Sequence, residues 1–428
     1  MIPHSTHSKP AVLFVDQTAQ LGGAELCLLD IVRRRQNRAD RVLLFQDGPF
    51  VQRLRDCDVD VSVFTLGAGG SSIRKSSGLF RKLASSLDVM RLARNVASAA
   101  ESVDVIYANT AKALVVSTIA GWISRKPVIY HLHDILAPEH FSRSNLSLLV
   151  FLATRFSTHV IANSNASKAS LVQRGGDDRK ITVVYNGIDA SPFQSAIQNE
   201  ANVRSSIRQS IGLTSVVACP AAEPADANPS DNQDRSVLPV AIGGIRDTPV
   251  VALFGRFSPW KGQHVAIQAL RQLPGVHLML VGDALFDEHD YVAQLHQMAD
   301  EPELQGRVHF MGFRSDVAEL MQTTDIVIHC STAAEPFGRV IVEAMMSRRP
   351  IIATRGGGAS EIVRNGENGW LVTPGSESEL VAAIRTILNG NVDVSEIVAR
   401  ASCEASERFE LEGRVAEINA VIEKVVNV

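Results

Sequence analysis

The sequence lacks the features that would mark a membrane, secreted or nucleic-acid-binding protein. No apolar run reaches the roughly 18 residues a bilayer-spanning helix needs. The five cysteines (Cys27, Cys57, Cys219, Cys330, Cys403) are scattered, odd in number and without Cys-x-x-Cys spacing. That usage points to buried thiols in a reducing compartment, not to a disulfide framework. A formal net charge of −4 leaves no overall basic footprint for nucleic acid. The first ten residues are polar and lack the apolar core of a signal peptide, so a cytoplasmic protein is expected. A Gly-x-Gly-x-x-Gly fingerprint is also missing after the first strand, which removes support for a nicotinamide cofactor.

What is present is ordinary globular material, 45% apolar and 21% charged, in a chain of 428 residues. That length suits two domains of roughly 180 to 200 residues, each with its own core. In the first half, strand-like runs at Val12–Asp16, Val42–Phe45, Val61–Phe64, Val105–Ala108, Val128–His133, Val160–Ala162 and Ile181–Val184 alternate with helical periodicity. The second half repeats the pattern with strands expected at Val250–Gly255, Val276–Val281, Val308–Met311, Asp325–Cys330, Ile351–Thr354 and Gly369–Val372. Such alternation implies parallel sheets covered on both faces. Between the halves, Thr214–Asp247 is rich in Pro, Ala, Asp and Asn and too poor in large apolar residues to offset its ordering entropy. The expected organisation is a domain over 1–190, a linker with a low-complexity, disordered insertion over 191–247, a second domain over 248–408, and a terminal helix over 409–428.

The most informative stretch is Glu335-Pro-Phe-Gly-Arg-Val-Ile-Val-Glu343, which follows the apolar run Asp325–Cys330 and opens a helical segment. Gly338 leaves the N–H groups of the first helical turn uncovered, and such groups attract phosphate. Glu335 in the loop and Glu343 about two turns on can border one pocket at the carboxyl edge of a parallel sheet. Carboxylates beside an anion site make sense if they accept hydrogen bonds from sugar hydroxyls, so a nucleotide sugar fits. The plain alternative is a strand-turn-helix with two solvated glutamates.

Other segments carry weaker signals. Gln20-Leu-Gly22-Gly23-Ala-Glu25 is a glycine pair after the first strand, either a tight turn or a place of close ligand approach. In Tyr130-His131-Leu-His133-Asp134, alternation puts both histidines on one face. They are open to reading as a zinc pair, a structural histidine bonded to backbone, or a pocket histidine. No His-x-x-x-His or nearby cysteine cluster completes a zinc site. Asn109 and His131 are the acceptor-side candidates. Gly255-Arg256-Phe-Ser-Pro-Trp-Lys261-Gly262 brings two cations to a strand end, suited to a departing diphosphate or simply exposed. Phe313, after another strand, is placed to frame a nucleobase. Asp56-Cys-Asp58, followed by Asp60 in the one Asp-x-Asp run, reads as a solvated turn, so no metal is expected. The segment Ser71–Arg94 interleaves Arg74, Lys75, Arg81, Lys82, Arg91 and Arg94 with apolar residues at helical spacing. It is either a solvated helix face or a contact with anionic lipid.

Gly22-Gly-Ala-Glu25, His133-Asp134, Asn186-Gly-Ile-Asp189, Gly255-Arg-Phe-Ser-Pro-Trp-Lys261-Gly, Val281-Gly-Asp283, Gly312-Phe313 and Glu335-x7-Glu343 stand in the order and spacing of family 4 glycosyltransferases. The sequence resembles that family over nearly its whole length. The resemblance implies the GT-B fold: two Rossmann-like doubly wound parallel-sheet domains facing across a cleft, with a C-terminal helix crossing back to the first. It implies a retaining hexosyltransferase using a nucleotide-diphosphate sugar as co-substrate, with no separate cofactor and no metal. By position, Arg256 and Lys261 resemble the pair that stabilises the leaving diphosphate. Glu343 resembles the ribose ligand, Glu335 the carboxylate at the donor sugar, and His133 the histidine near it. The backbone of Phe337, Gly338, Arg339 and Val340 would cradle the phosphates, approached by Gly22 and Gly23. The acceptor is a glycan, a lipid-linked glycan or a small molecule, and peripheral membrane contact through Arg74–Arg94 suits the lipid-linked case. Two departures stand out: the long stretch around Ala218–Gln233, and Ser347-Arg-Arg-Pro350 in place of a small glycine-containing turn. A nucleotide-sugar-binding protein without transfer activity and a GT-B-fold epimerase are the alternatives. His133 disfavours the first, and the Gly-Arg…Lys-Gly loop disfavours the second.

Overall fold

The computed structural model describes residues 9–65, 85–138, 141–213, 241–242, 245–246, 248–285 and 288–427. Much of the expected basic segment and of the Pro/Ala/Asp-rich insertion lies outside the described residues. The chain divides into two compact units. One comprises residues 1–189, 334–339 and 409–428, and the other residues 190–333 and 340–408.

The first unit is built on seven strands: β1 (Val12–Asp16), β2 (Arg41–Leu44), β3 (Asp60–Val63), β4 (Val105–Ala108), β5 (Val128–Leu132), β6 (His159–Ala162) and β7 (Ile181–Val183). Each pairing is parallel, in the order β3-β2-β1-β4-β5-β6-β7. Val-Leu-Phe-Val-Asp in β1 and Val-Ile-Tyr-Ala in β4 are buried at every residue, as strands covered on both faces must be. One face carries the helices Ser85–Ala100, Ala111–Ser124 and Arg143–Arg155, which insert Leu92, Leu114 and Leu146 against Leu13 and Ile106. The other face carries the helix Gly23–Arg35 and the terminal helix Leu411–Val426, whose Leu28 and Ile422 pack with Phe14 and Tyr107. The terminal segment is joined further by Ile188 N–H donating to Phe409 O at 2.8 Å and by Arg35 donating to Asn419.

The second unit repeats the design. A two-residue antiparallel ladder, β8 (Ala241–Ile242) with β9 (Ile245–Arg246), precedes β10 (Val250–Phe254), β11 (His277–Val281), β12 (Val308–Gly312), β13 (Ile326–His329), β14 (Ile351–Thr354) and β15 (Trp370–Val372). The last six form a parallel sheet in the order β12-β11-β10-β13-β14-β15.

The start of the expected linker needs correction. Ser191–Gln198 and Glu200–Ser210 are helices belonging to the second unit. Arg204 and Arg208 bind the two oxygens of Asp325 at 2.6 and 2.8 Å, and Arg208 also donates to Thr323 O and Thr248 O. The physical reason is a long-range ion-pair anchor that compensates for a helix with few apolar residues.

Candidate functional site

In both sheets the strand order reverses once, between β1 and β4 in the first unit and between β10 and β13 in the second. Doubly wound sheets bind ligands at the carboxyl ends of the strands flanking that reversal. Most of the candidate residues fall at these two places.

In the second unit the chain leaves β10 through Gly255-Arg256 and reaches Lys261 in one short turn. Gly262, at φ +74°, closes that turn so tightly that a Cβ there would lie 2.0 Å from Cys330 O at the end of β13. Thr332 N–H donates to Trp260 O at 2.8 Å, which fixes the loop to the neighbouring strand end. The consequence is a shared indole: the Arg256 guanidinium carbon lies 5.8 Å and Lys261 Nζ 4.2 Å from the centre of the Trp260 ring. Cation–π attraction holds both charges on one support. Gln263 adds a bond to Arg256 O at 2.9 Å. Phe313, just past β12, exposes 55% of its surface.

The loop after β13 leads through Glu335, half-buried, to Gly338 at φ +98°, a conformation that favours glycine. The helix Arg339–Met346 follows and carries Glu343, also half-buried. Phe337 turns its ring into a cluster with Tyr185 and Phe409, at centroid distances of 6.2 and 5.7 Å. Arg339 pairs with Asp30 at 2.8 Å.

In the first unit Gly22 caps the helix Gly23–Arg35, its N–H donating to Glu25 Oε2 at 3.1 Å. A Cβ on Gly23 would meet nothing within 4 Å. His133 follows β5, and its Nε2 lies 3.1 Å from Asn109 Oδ1. Asn109 donates to Asp16 Oδ2 at 2.6 Å and to Ala24 O at 3.1 Å. Burial pushes the Asp16 carboxyl up to about 6, against the lowering effect of its bonds to Asn109, Thr18 and Gln17.

Two expectations fail here. Asn109 and His131, the acceptor-side candidates, are 0% and 1% exposed, so neither presents an atom to an acceptor. Strand parity does align His131 with His133, but His131 sits one layer deeper, bonded through Nδ1 to Tyr107 Oη at 2.7 Å. Burial, with His133 nearby, lowers its basicity well below that of a free imidazole.

Sequence spacing also hid a neighbour. Cys27 Sγ and one nitrogen each of His131 and His133 lie within 4.8 Å of one another. The trio has metal-ligand chemistry, but the thiol already donates to Asn186 Oδ1 at 3.4 Å, and burial pushes it up to about 12. It packs as a neutral S–H. Asp56 and Asp58 are exposed in a turn, with Asp58 at φ +58°.

Two Rossmann-like units, one presenting paired cations at its switch point, define a nucleotide-binding α/β class. The comparisons with known proteins narrow it. Residues 21–191 match Glycosyltransferase Family 4 and residues 241–405 match Glycosyl transferases group 1. The Anabaena protein Alr3699/HepE, solved with UDP and glucose, is 41% identical, with TM-score 0.79 over 97% of this chain and 100% of that one. The same protein has also been solved with UDP-glucose. The lipopolysaccharide core biosynthesis glycosyltransferase LpsE of Rhizobium meliloti is 37% identical over 34% of this chain and 41% of its own length. A D-inositol 3-phosphate glycosyltransferase of Mycobacterium marinum is 31% identical over 42% of this chain and 39% of its own. The matched region thus spans about two-fifths of the length of these curated relatives. The chain belongs to the family 4, group 1 glycosyltransferases and has their GT-B architecture.

Proposed function

We propose that this glycosyltransferase moves a hexose, with retention of configuration, from a UDP-sugar to a glycan, a lipid-linked glycan or a small-molecule acceptor. The observation that carries the reading is the clustering of Arg256 and Lys261 about Trp260 at the end of β10. As the glycosidic bond breaks, negative charge grows on the diphosphate and positive charge on the sugar. Preorganised cations lower that barrier without reorganising. Arg256, Lys261 and the N–H groups of Phe337 to Val340 take the phosphate charge, so no divalent metal is required. Glu343 accepts from the ribose hydroxyls. Glu335 holds the sugar hydroxyls and its reacting face electrostatically, and His133 contacts the donor sugar. Attack proceeds on the face the phosphate leaves, and Glu335 is not a nucleophile. The UDP and UDP-glucose complexes of the Anabaena relative favour uridine as the base and make glucose the first sugar to try.

The test is thermal-shift and turnover measurement on a panel of nucleotide sugars, with and without a chelator. Lys261→Ala and Glu343→Ala are run alongside the wild type. One donor should stabilise and be consumed by the wild type in chelator. Lys261→Ala should lose about a hundredfold or more in kcat. Full turnover by Lys261→Ala, or complete loss in chelator, overturns the assignment.

Membrane contact belongs to the same proposal for a lipid-linked acceptor. Within the described part of the basic segment, Leu87, Met90, Arg91 and Arg94 are all exposed, at the i, i+3, i+4, i+7 spacing of one helix face. No helix among the described residues is long and apolar enough to cross a membrane, so any such contact by a helix is peripheral.

A further inference from the structure

We propose that Asp16 and Asn109 are positioning residues that act through hydrogen bonds to fix the tautomer and ring plane of His133. The inference rests on the reading above that His133 serves the donor sugar. Neither residue touches a ligand itself, since both are fully buried.

The argument is one of donors and acceptors. Asn109 follows β4, and its backbone N–H donates to Val15 O at 3.0 Å, so its Cα is fixed beside the end of β1. Its side-chain nitrogen faces two acceptors, Asp16 Oδ2 at 2.6 Å and Ala24 O at 3.1 Å. A backbone carbonyl can only accept, and so can a carboxylate. Both amide hydrogens are therefore committed, and the reversed amide would set oxygen against oxygen at two places. Only Oδ1 is left for the imidazole, 3.1 Å from His133 Nε2. That oxygen cannot donate, so Nε2 carries the hydrogen, and Nδ1 of the neutral ring is an acceptor.

Asp16 is held as firmly. Its other oxygen accepts from Gln17 N–H at 2.5 Å and Thr18 N–H at 3.3 Å, so the carboxylate cannot turn away from Asn109. The His131 ring, 3.8 Å from the His133 ring between centroids, walls one side of the imidazole. Burying a carboxylate completely to orient an amide is costly. The cost is understandable if the amide in turn must orient a working imidazole. The three residues come from the ends of β1, β4 and β5, at the strand-order reversal where such a sheet meets its ligand.

The test reads the tautomer directly. In protein carrying 15N-labelled histidine, long-range proton–nitrogen correlation should show His133 as Nε2–H, with His133→Gln supplying the assignment. In Asp16→Asn, which is isosteric, and in Asn109→Ala the ring should populate both tautomers. With nucleotide sugar, either variant should lose about tenfold in kcat while KM for the donor changes less than about threefold. If Asn109→Ala does not fold, Asp16→Asn carries the test. An Nδ1–H tautomer in the wild type, or an unchanged Nε2–H signal in Asp16→Asn, overturns the proposal. If the tautomer shifts as expected but His133→Ala turns over donor as fast as wild type, the catalytic assignment of His133 fails and the relay stands.

Discussion

A methyl group added to Gly282 would lie 2.1 Å from the carbonyl oxygen of Gly255. Both glycines sit at φ +146°, just past the ends of β11 and β10. Gly255 N–H donates to Val281 O, the residue before Gly282, and Gly282 N–H donates to Gly312 O at the end of β12, each at 2.9 Å. Since Arg256 follows Gly255 directly, the path of the cation loop depends on Gly282 having no side chain. Gly282→Ala adds both a backbone clash and a strained φ. We expect a loss of about 3 kcal/mol of stability and at least tenfold weaker donor binding, measured by urea unfolding and donor titration. Gly275→Ala is the control: it has φ +76° but open space around the added carbon, so it should cost only about 1 kcal/mol and leave donor binding unchanged.

Much of this fold is legible in the sequence. A strand buried on both faces must be a short continuous apolar run, and each such run found its strand with ends no more than one residue out on either side. The Glu335-to-Glu343 stretch announces its helix because Gly338 and the following apolar spacing are local signals. What the sequence hides is produced by packing between distant segments. Asp16 meets Asn109 across 93 residues, and Cys27 meets Asn186 across 159. The helices over 191–210 look like linker because Ser, Asn, Gln and Arg dilute their apolar periodicity. Their anchor, Arg208 on Asp325, is 117 residues away. Parity correctly placed His131 beside His133 but could not tell which of the two is buried.

That anchor makes its own prediction. Asp325 is 13% exposed and Arg208 4%, and the same carboxylate also accepts from Val250 N–H at 2.7 Å, at the start of β10. Asp325→Ala removes the negative partner of two guanidinium groups at once. Breaking a buried pair by deleting one member costs about 3 to 5 kcal/mol. Urea unfolding should register a loss of that size, and the salt sensitivity should be weak because the pair is shielded from solvent. A change below 1 kcal/mol would mean that the two helices are held by other contacts.

The exposed stripe Leu87, Met90, Arg91, Arg94 predicts reversible binding to anionic vesicles. Leu87 exposes 76% of its surface and Met90 37%, a combination with the arginines that suits the headgroup boundary. Arg91→Glu with Arg94→Glu should weaken flotation with phosphatidylserine vesicles by about thirtyfold or more, at roughly 1 kcal/mol per positive charge removed near the surface. Binding to neutral vesicles should be poor for both proteins. Undiminished flotation of the double variant would assign the stripe to ordinary solvation.

The buried carboxyl of Asp16 gives a pH dependence of definite sign. Burial raises its folded pKa from 3.8 to about 6, so the native state binds this proton more tightly than the unfolded chain does. The stabilising contribution is complete below about pH 4, falls as pH rises through 6, and is gone above it. Over that window the wild type should lose up to about 3 kcal/mol relative to Asp16→Asn, which has no proton to release there. The comparison is between the two slopes of unfolding free energy against pH from about 4 to 7.5, since every other titrating group is common to both proteins. Parallel curves would mean that Asp16 titrates in the native state as it does in the unfolded chain. A wild-type curve that falls relative to that of Asp16→Asn between about pH 4 and 6, together with impaired transfer by Asp16→Asn, would identify a carboxylate kept ionised at neutral pH at the expense of stability.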